Sequence, residues 1–198
     1  MQPTHGREYN KTRTRIALAT AAIRLFREKG YEATTVEEIA QAAGSSASTF
    51  FRHFGTKEDV LFLGQREIND EFRTFISEPV PGLRRWDQIH LGLIVGLRKL
   101  ASVSEEIQDA SIGGWLTEPA LRDRFAQLSG ELEDSMIRAL AAEKGVDPAR
   151  DLGVQLAARA ATAIYVSAFH LHRNTGRPLQ DLLDEGFALI EQGLYRPE

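Results

Sequence analysis

An all-α fold of about nine helices is what this sequence predicts, and three observations predict it. Apolar residues recur at three- and four-residue spacing along nearly the whole chain. No run of alternating β-branched residues is long enough for a strand. Glycine and proline stand at the joints between the amphipathic stretches, where a helical chain must turn.

The first helix is expected over 12–29. Leu18, Ala22, Leu25 and Phe26 fall at i, i+4, i+7 and i+8 on one face, and Gly30 follows as a C-cap. Residues 1–11 are polar and read as a disordered arm. Val36, Ile39, Ala40 and Ala43 make a second, short amphipathic stretch that Gly44 ends. Thr35 with Glu38 offers a capping box, and Thr34 with Glu37 the alternative register. A third helix is expected over 47–53. Thr56 reads as the cap of a long fourth helix reaching about Ser77, before Pro79 and Pro81-Gly82 break the chain. Helices then follow at about 84–102, 104–112, 118–144, 150–174 and 179–194. The organisation expected is an arm over 1–11, a helix-turn-helix domain over 12–57 and a helical body over 58–198.

Composition bounds the function. Hydrophobic residues make up 42% and charged residues 26% of 198 positions, ordinary for a soluble globular chain. There is no cysteine, which excludes disulfides and thiolate metal sites and suits a reducing cytoplasm. No apolar run approaches the roughly 18 residues of a membrane span, and the first residues lack the apolar stretch of a signal peptide. A cytoplasmic protein without a membrane partner is expected. The net charge is −4, but it is unevenly spread: residues 1–58 carry +3 and the remainder −7. A basic front and an acidic rear suit a protein that presents one end to a polyanion.

The stretch 34–57 carries the chemistry. Two short helices at a tight turn containing Gly44 form a helix-turn-helix, whose second helix enters the major groove. Ser45, Ser46, Ala47, Ser48 and Thr49 are small or hydroxylated, so they permit close approach to a duplex and hydrogen bonds to bases or phosphates. Phe50 and Phe54, four apart, anchor that helix to the first. Arg52, His53 and Lys57 supply cationic or donor groups, Lys57 at a helix start that itself favours a phosphate. Spacing alone leaves a second reading open, since short helix pairs around a glycine occur in many all-α proteins.

The order of these blocks resembles the DNA-binding domain of the TetR family of regulators over Thr12–Phe62, without a gap. The residues that carry the resemblance run from Ala21-Ala22-Ile23-Arg24-Leu25-Phe26 through Lys29-Gly30-Tyr31, Thr34-Thr35-Val36-Glu37-Glu38-Ile39-Ala40 and Ala43-Gly44-Ser45 to Thr49–Leu61. The resemblance implies that Thr35 contacts phosphate, that Ala47, Ser48 and Thr49 face bases, and that His53 and Lys57 contact phosphate. Phe51 stands where the family often has a tyrosine, so the hydroxyl contact to phosphate is lost and only apolar contact remains. Arg13 and Arg15 are candidates for backbone or minor-groove contact from the arm.

Beyond about residue 70 the resemblance is weak. It implies a helical effector domain with a ligand cavity and a dimer interface made mainly by the last two helices. Candidate cavity residues are Leu93, Leu97, Ile112, Trp115, Phe125, Tyr165 and Phe169, each equally at home as plain core. Gly92 and Gly96, one turn apart on an apolar helix, make room either for a ligand or for a neighbouring helix. His90, Arg98 and His172 are candidates for a polar group at a cavity mouth. Small residues on 150–174 and an apolar stripe on 179–194 suit a four-helix bundle across a two-fold axis. The interface candidates are Ala157, Ala161, Ile164, Ala168, Leu183, Phe187 and Ile190; the alternative is that they pack inside one subunit.

The reading is therefore a cytoplasmic, ligand-responsive regulator, a repressor by the family's habit. It would bind double-stranded operator DNA as a homodimer and release it on binding a small, apolar effector. The alternatives are a helical-bundle enzyme and a protein-binding scaffold. No Gly-x-Ser-x-Gly elbow, P-loop, dinucleotide fingerprint or Glu-x-x-His motif supports an enzyme. His170 and His172 point to different helix faces, so no metal and no cofactor are expected.

Overall fold

A computed structural model describes residues 4–63, 65–100 and 119–193. Its described residues form eight α-helices and one 3₁₀ turn, with no strand. The helices are α1 (Thr4–Lys29), α2 (Val36–Ala42), α3 (Ala47–His53), α4 (Gln65–Ser77), α5 (Arg85–Leu100), α6 (Pro119–Lys144), α7 (Leu152–Thr175) and α8 (Leu179–Gln192). The helix expected over 104–112 lies outside the described residues.

Two compact units divide the chain. One takes Met1–Leu63 with Val103–Arg124, the other Gly64–Ser102 with Phe125–Glu198. In the first, α1 packs on α2, and α2 on α3. Leu18, Ala22, Ile23, Ile39, Phe50 and Val60 are buried at its centre. Helix α1 starts at Thr4, eight residues before the expected start, so the segment read as an arm continues the helix. Extending a helix already nucleated by a buried face costs little, even through the polar residues that suggested disorder.

The long helix expected from Thr56 to Ser77 is interrupted. Glu58–Val60 form a 3₁₀ turn, 61–63 are turn residues, and α4 begins only at Gln65. The reason lies in four successive buried apolar residues, Val60, Leu61, Phe62 and Leu63. An α-helix would spread four consecutive side chains right round its axis.

In the second unit α4 packs along α5, α7 along α8, and α5 against both α7 and α8. The α4–α5 approach is close because of two glycines. A Cβ on Gly92 would sit 3.0 Å from Phe72 Cδ2 and 3.1 Å from Ile76 Cγ2; one on Gly96 would sit 2.9 Å from Ile68 Cγ2 and 3.2 Å from its carbonyl oxygen. The glycines thus admit a neighbouring helix and not a ligand. Helix α7 is long and apolar enough to cross a membrane by length and composition, a test that the core helix of a soluble protein also passes. Part of that apolarity is used against α8 and α5, where Val154, Ala158, Ala161, Tyr165 and Phe169 are buried.

Replacing Gly96 with alanine is expected to lower unfolding free energy by about 1–3 kcal/mol, the usual cost of overpacking. Gly130 lies inside α6 with nothing within 4 Å of its added Cβ. Gly130→Ala is expected to raise stability by roughly 0.5–1 kcal/mol through helix propensity. Urea denaturation of the two variants checks the opposite signs.

Candidate nucleic-acid interface

Helices α2 and α3 are each seven residues long, and both are capped by hydroxyl side chains. Thr35 Oγ1 accepts from the Glu38 N–H at 3.3 Å, and Glu38 Oε2 accepts from the Thr35 N–H at 2.9 Å. This is the Thr35/Glu38 capping box and not the Thr34/Glu37 register. Thr34 is buried and donates its hydroxyl to the Gly30 carbonyl at 2.8 Å. The Lys29 ammonium, 2.5 Å away, and the two Thr35 donors hold the Glu38 carboxyl down at about 2. What this carboxylate contributes to stability is thus fully present above pH 4.5 and lost as pH falls through about 2. Gly44, at φ +65°, closes α2 in the left-handed conformation that glycine adopts without strain. Ser45 then donates its N–H back to the Ala40 carbonyl at 2.8 Å.

Ser46 caps α3: its Oγ accepts from the Thr49 N–H at 3.1 Å and lies 3.1 Å from Thr49 Oγ1. Thr49 Oγ1 also accepts from Arg52 Nη2 at 3.3 Å. Phe50 is fully buried and Phe54 nearly so, their centroids 5.4 Å apart. Arg15 of α1 lies over the ring of Phe54, the residue that closes α3, at 5.7 Å, while α3 itself packs on α2 and not chiefly on α1 as the spacing suggested. The opposite face is open. Phe51 is 55% exposed, and Ser48 and Arg52 are exposed beside it.

These contacts sort the expected DNA-binding residues. The hydroxyls of Thr35, Ser46 and Thr49 are engaged in caps. Ser48, and Ser45 at the turn, make no side-chain hydrogen bond within the described residues and keep their hydroxyls for an outside partner. His53 Nδ1 is buried without a hydrogen-bond partner among the described residues. Burial first, then the charges of Arg52, Arg15 and Lys11, hold its imidazole below the ordinary 6.5.

Lys57 differs most from expectation. It opens a three-residue 3₁₀ turn and not a long helix. Its Nζ donates to the carbonyls of Tyr31 at 2.8 Å and Thr34 at 3.1 Å, and stands 4.0 Å over the Tyr31 ring. One of its three N–H groups remains. Lys57 therefore braces the loop that leads into α2.

Sequence reasoning missed the residues that hold the end of α3. Asp59 Oδ2 accepts from the N–H groups of Gly55 at 2.9 Å and Thr56 at 3.2 Å. Its Oδ1 lies 2.6 Å from Arg124 Nη2 and accepts from Arg124 Nε at 2.8 Å. Both side chains are largely buried. The Thr56/Asp59 spacing signalled a local cap, since Asp59 N–H also meets Thr56 Oγ1 at 3.4 Å. No pattern could signal Arg124, 65 positions away. Tyr31 completes the brace, its hydroxyl bonded to the Glu58 carboxylate.

In the second unit Leu93, Phe125, Tyr165 and Phe169 are buried and Leu97 half-buried; Ile112 and Trp115 lie outside the described residues. A buried polar chain that the sequence did not suggest runs among them. Gln65 Nε2 donates to Tyr165 Oη at 3.1 Å and to Asn69 Oδ1 at 3.0 Å, and Asn69 Nδ2 donates to the Leu128 carbonyl at 3.1 Å. Burial pushes the Tyr165 hydroxyl up to about 12, so it stays protonated. Of the polar candidates, His90 stacks on Phe187 at 4.2 Å with Nε2 2.8 Å from Asp184, and His172 Nδ1 lies 2.7 Å from the Arg177 carbonyl.

The interface candidates need correction. Ala161, Leu183 and Phe187 are buried inside the chain, because the stripe read as one outer face also supplies the α7–α8 core. Ile164 and Ala168 are buried as well, at the floor of an open apolar groove of about 300 Å³ between α7 and α8 that Ile190 also lines, and Ala157 is half-buried. The exposed apolar residues on these helices are Leu152, Leu156, Leu171 and Leu189.

Two capped two-turn helices, a glycine turn, a buried aromatic anchor and an open hydroxyl-bearing face define a helix-turn-helix protein of the DNA-binding kind. Residues 18–62 match the family model described as bacterial regulatory proteins, tetR family, and residues 115–195 match the MftR C-terminal domain. The chain belongs to the TetR family. It is 32% identical over 146 residues to the transcriptional regulator TcmR of Streptomyces glaucescens, covering 71% of this chain and 65% of that one. It is 36% identical over 66 residues to HbdR of an Aromatoleum strain, 33% of this chain and 29% of that one. It thus spans less than two thirds of the length of these relatives. A regulator from Syntrophomonas wolfei shares the fold at TM-score 0.64 and 18% identity, covering 93% and 98% of the two chains. FadR of Thermus thermophilus, solved with lauroyl-CoA, shares it at TM-score 0.56 and 24% identity, covering 93% and 96%. The relatives are transcriptional regulators, which sets aside the helical-bundle enzyme.

Asp59→Ala takes the carboxylate away from a largely buried guanidinium and from two backbone donors. It is expected to lower stability by about 3–5 kcal/mol, the cost of breaking a buried pair from one side. Chemical denaturation of this variant beside Thr35→Ala, for which about 1 kcal/mol is expected, checks the ranking.

Proposed function

We propose that this chain is a ligand-responsive repressor, acting in the cytoplasm, that binds a palindromic operator as a homodimer through α3. The observation that carries the reading is the open face of α3. It presents Ser48, Arg52 and a half-exposed phenylalanine, Phe51, on a helix otherwise locked to its support. A Phe51 ring offers apolar contact to a thymine methyl, and Ser48 a hydroxyl to a base edge or phosphate. Ser45, His53 and the remaining Lys57 donor lie around this face and suit backbone contacts. Two such helices in a dimer must stand roughly 34–36 Å apart to meet successive major grooves.

The dimer is assigned to α7 and α8 through Leu152, Leu156, Leu171 and Leu189, together with the Ile164, Ala168 and Ile190 groove. An apolar effector suits the Leu93, Leu97, Tyr165 and Phe169 core, where Gln65 and Asn69 could exchange their mutual bonds for a ligand's. The lauroyl-CoA held by Thermus FadR exemplifies such a molecule. The effector shifts operator binding only by its differential affinity for the two states.

Fluorescence anisotropy with the DNA upstream of the chain's own gene tests the reading. A salt-dependent, sequence-selective complex is expected; no retention at low salt would overturn it in favour of a protein-binding scaffold. Lys57→Ala should weaken the complex and flatten the salt slope by roughly 0.9 if its last N–H meets one phosphate. A phosphate beside His53 would raise its depressed pKa, so binding takes up a proton. Affinity should therefore rise as pH falls from about 7.5 towards 5.5, and His53→Gln should remove that trend. Leu156→Glu should yield monomers in sedimentation analysis while leaving the circular dichroism spectrum unchanged.

A further inference from the structure

The second unit holds an arginine cluster that the fold and the operator reading leave unused. Arg73 in α4, Arg85 at the start of α5 and Arg138 in α6 line one cleft of about 310 Å³ with Ser77 and Ser135. Three guanidinium groups line it and no carboxylate does. Arg73 is paired with Asp70, one turn back on its own helix. Arg138 donates Nη2 to Ser135 Oγ at 3.1 Å, and its charge meets no carboxylate among the described residues.

Arg85 decides the matter. It is 3% exposed, yet it too forms no ion pair among the described residues. Buried charges are ordinarily paired, because desolvation without a counter-charge is costly. Its Nη1 donates to the Ile76 carbonyl at 3.1 Å and to Gln88 Oε1 at 2.9 Å. Glu143, whose Oε1 accepts the Arg85 backbone N–H at 3.2 Å, does not line the cleft.

The plain alternative is that Arg85 only ties the end of α4 to the start of α5. The partial negative charge at the C-terminus of α4 does offset part of its own. That accounts for Nη1. It leaves Nε and Nη2, which bond to nothing in the described chain, and it leaves Arg138. We propose that this cleft is an oxyanion site that takes a phosphate or pyrophosphate group, with Arg85 as its buried floor and Arg73, Arg138, Ser77 and Ser135 as its rim. Guanidinium forks suit phosphate oxygens, whereas the Ser77 and Ser135 hydroxyls donate to the Thr74 and Glu131 carbonyls and only shape the wall. The site shares no residue with the helix-turn-helix and stands independently of the operator and effector readings.

Calorimetric titration of the full chain with sodium pyrophosphate and with adenosine 5′-diphosphate, at matched ionic strength, tests the proposal. Saturable binding of pyrophosphate is expected. Arg138→Ala and Arg73→Ala, both on exposed side chains, should each weaken it about tenfold, the effect of one charge-assisted contact. Arg150→Ala, outside the cleft, should leave it unchanged. Equal affinity for both probes would assign the site to the free anion, and tighter binding of the nucleotide to a phosphate carried on a larger molecule. No saturable binding of either probe, or binding that all three variants leave intact, would overturn the proposal.

Discussion

Seven residues make two turns of helix, and two turns do not hold themselves together in water. Helices α2 and α3 both face this constraint, and the first unit is built around answering it. The Thr35/Glu38 box and the Ser46 cap satisfy the orphan amides at their starts. Phe50 and Phe54 supply burial that a helix this short cannot find along its own length. Lys57 ties down the loop before α2, and Asp59 with Arg124 ties down the turn after α3. Remove the ties and α3 is a heptapeptide with two phenylalanines, Phe50 and Phe51, open to water.

The ties also explain a division of labour among hydroxyl groups. A serine or threonine that caps a helix has committed its lone pairs or its proton. Thr35, Ser46 and Thr49 are so committed, whereas Ser45 and Ser48 are not. Side chains of one type within five positions therefore separate into scaffold and reading surface.

That separation marks how far the sequence could be read. The periodicity of Leu18 and Ala22, of Ile39 and Ala40, and the Phe50/Phe54 pair sufficed to place α1, α2 and α3, because each face is apolar on one side only. Reading failed where burial is not periodic. Val60 to Leu63 are buried in succession, and a helical template ran straight through them. It failed again on α7 and α8, where apolar residues serve both an inner core and an outer groove. Ala161 and Leu183 then look the same as the exposed Leu156 and Leu189 until the neighbouring helix is in place. Long-range polar contacts, Asp59 with Arg124 and Gln65 with Tyr165, leave no local trace at all.

The two glycines of α5 bear on how this unit changes over time. Helix α4 rests on α5 with no side-chain layer between them at Gly92 and Gly96, and Phe72, Ile76 and Ile68 fill the space a Cβ would need. A larger residue on α5 is therefore tolerable only after a smaller one has appeared opposite it on α4, and the reverse order opens a void. Residues in such contact do not vary independently. The joint should drift by compensated pairs or not at all, while the solvent-facing sides of the same two helices diverge freely.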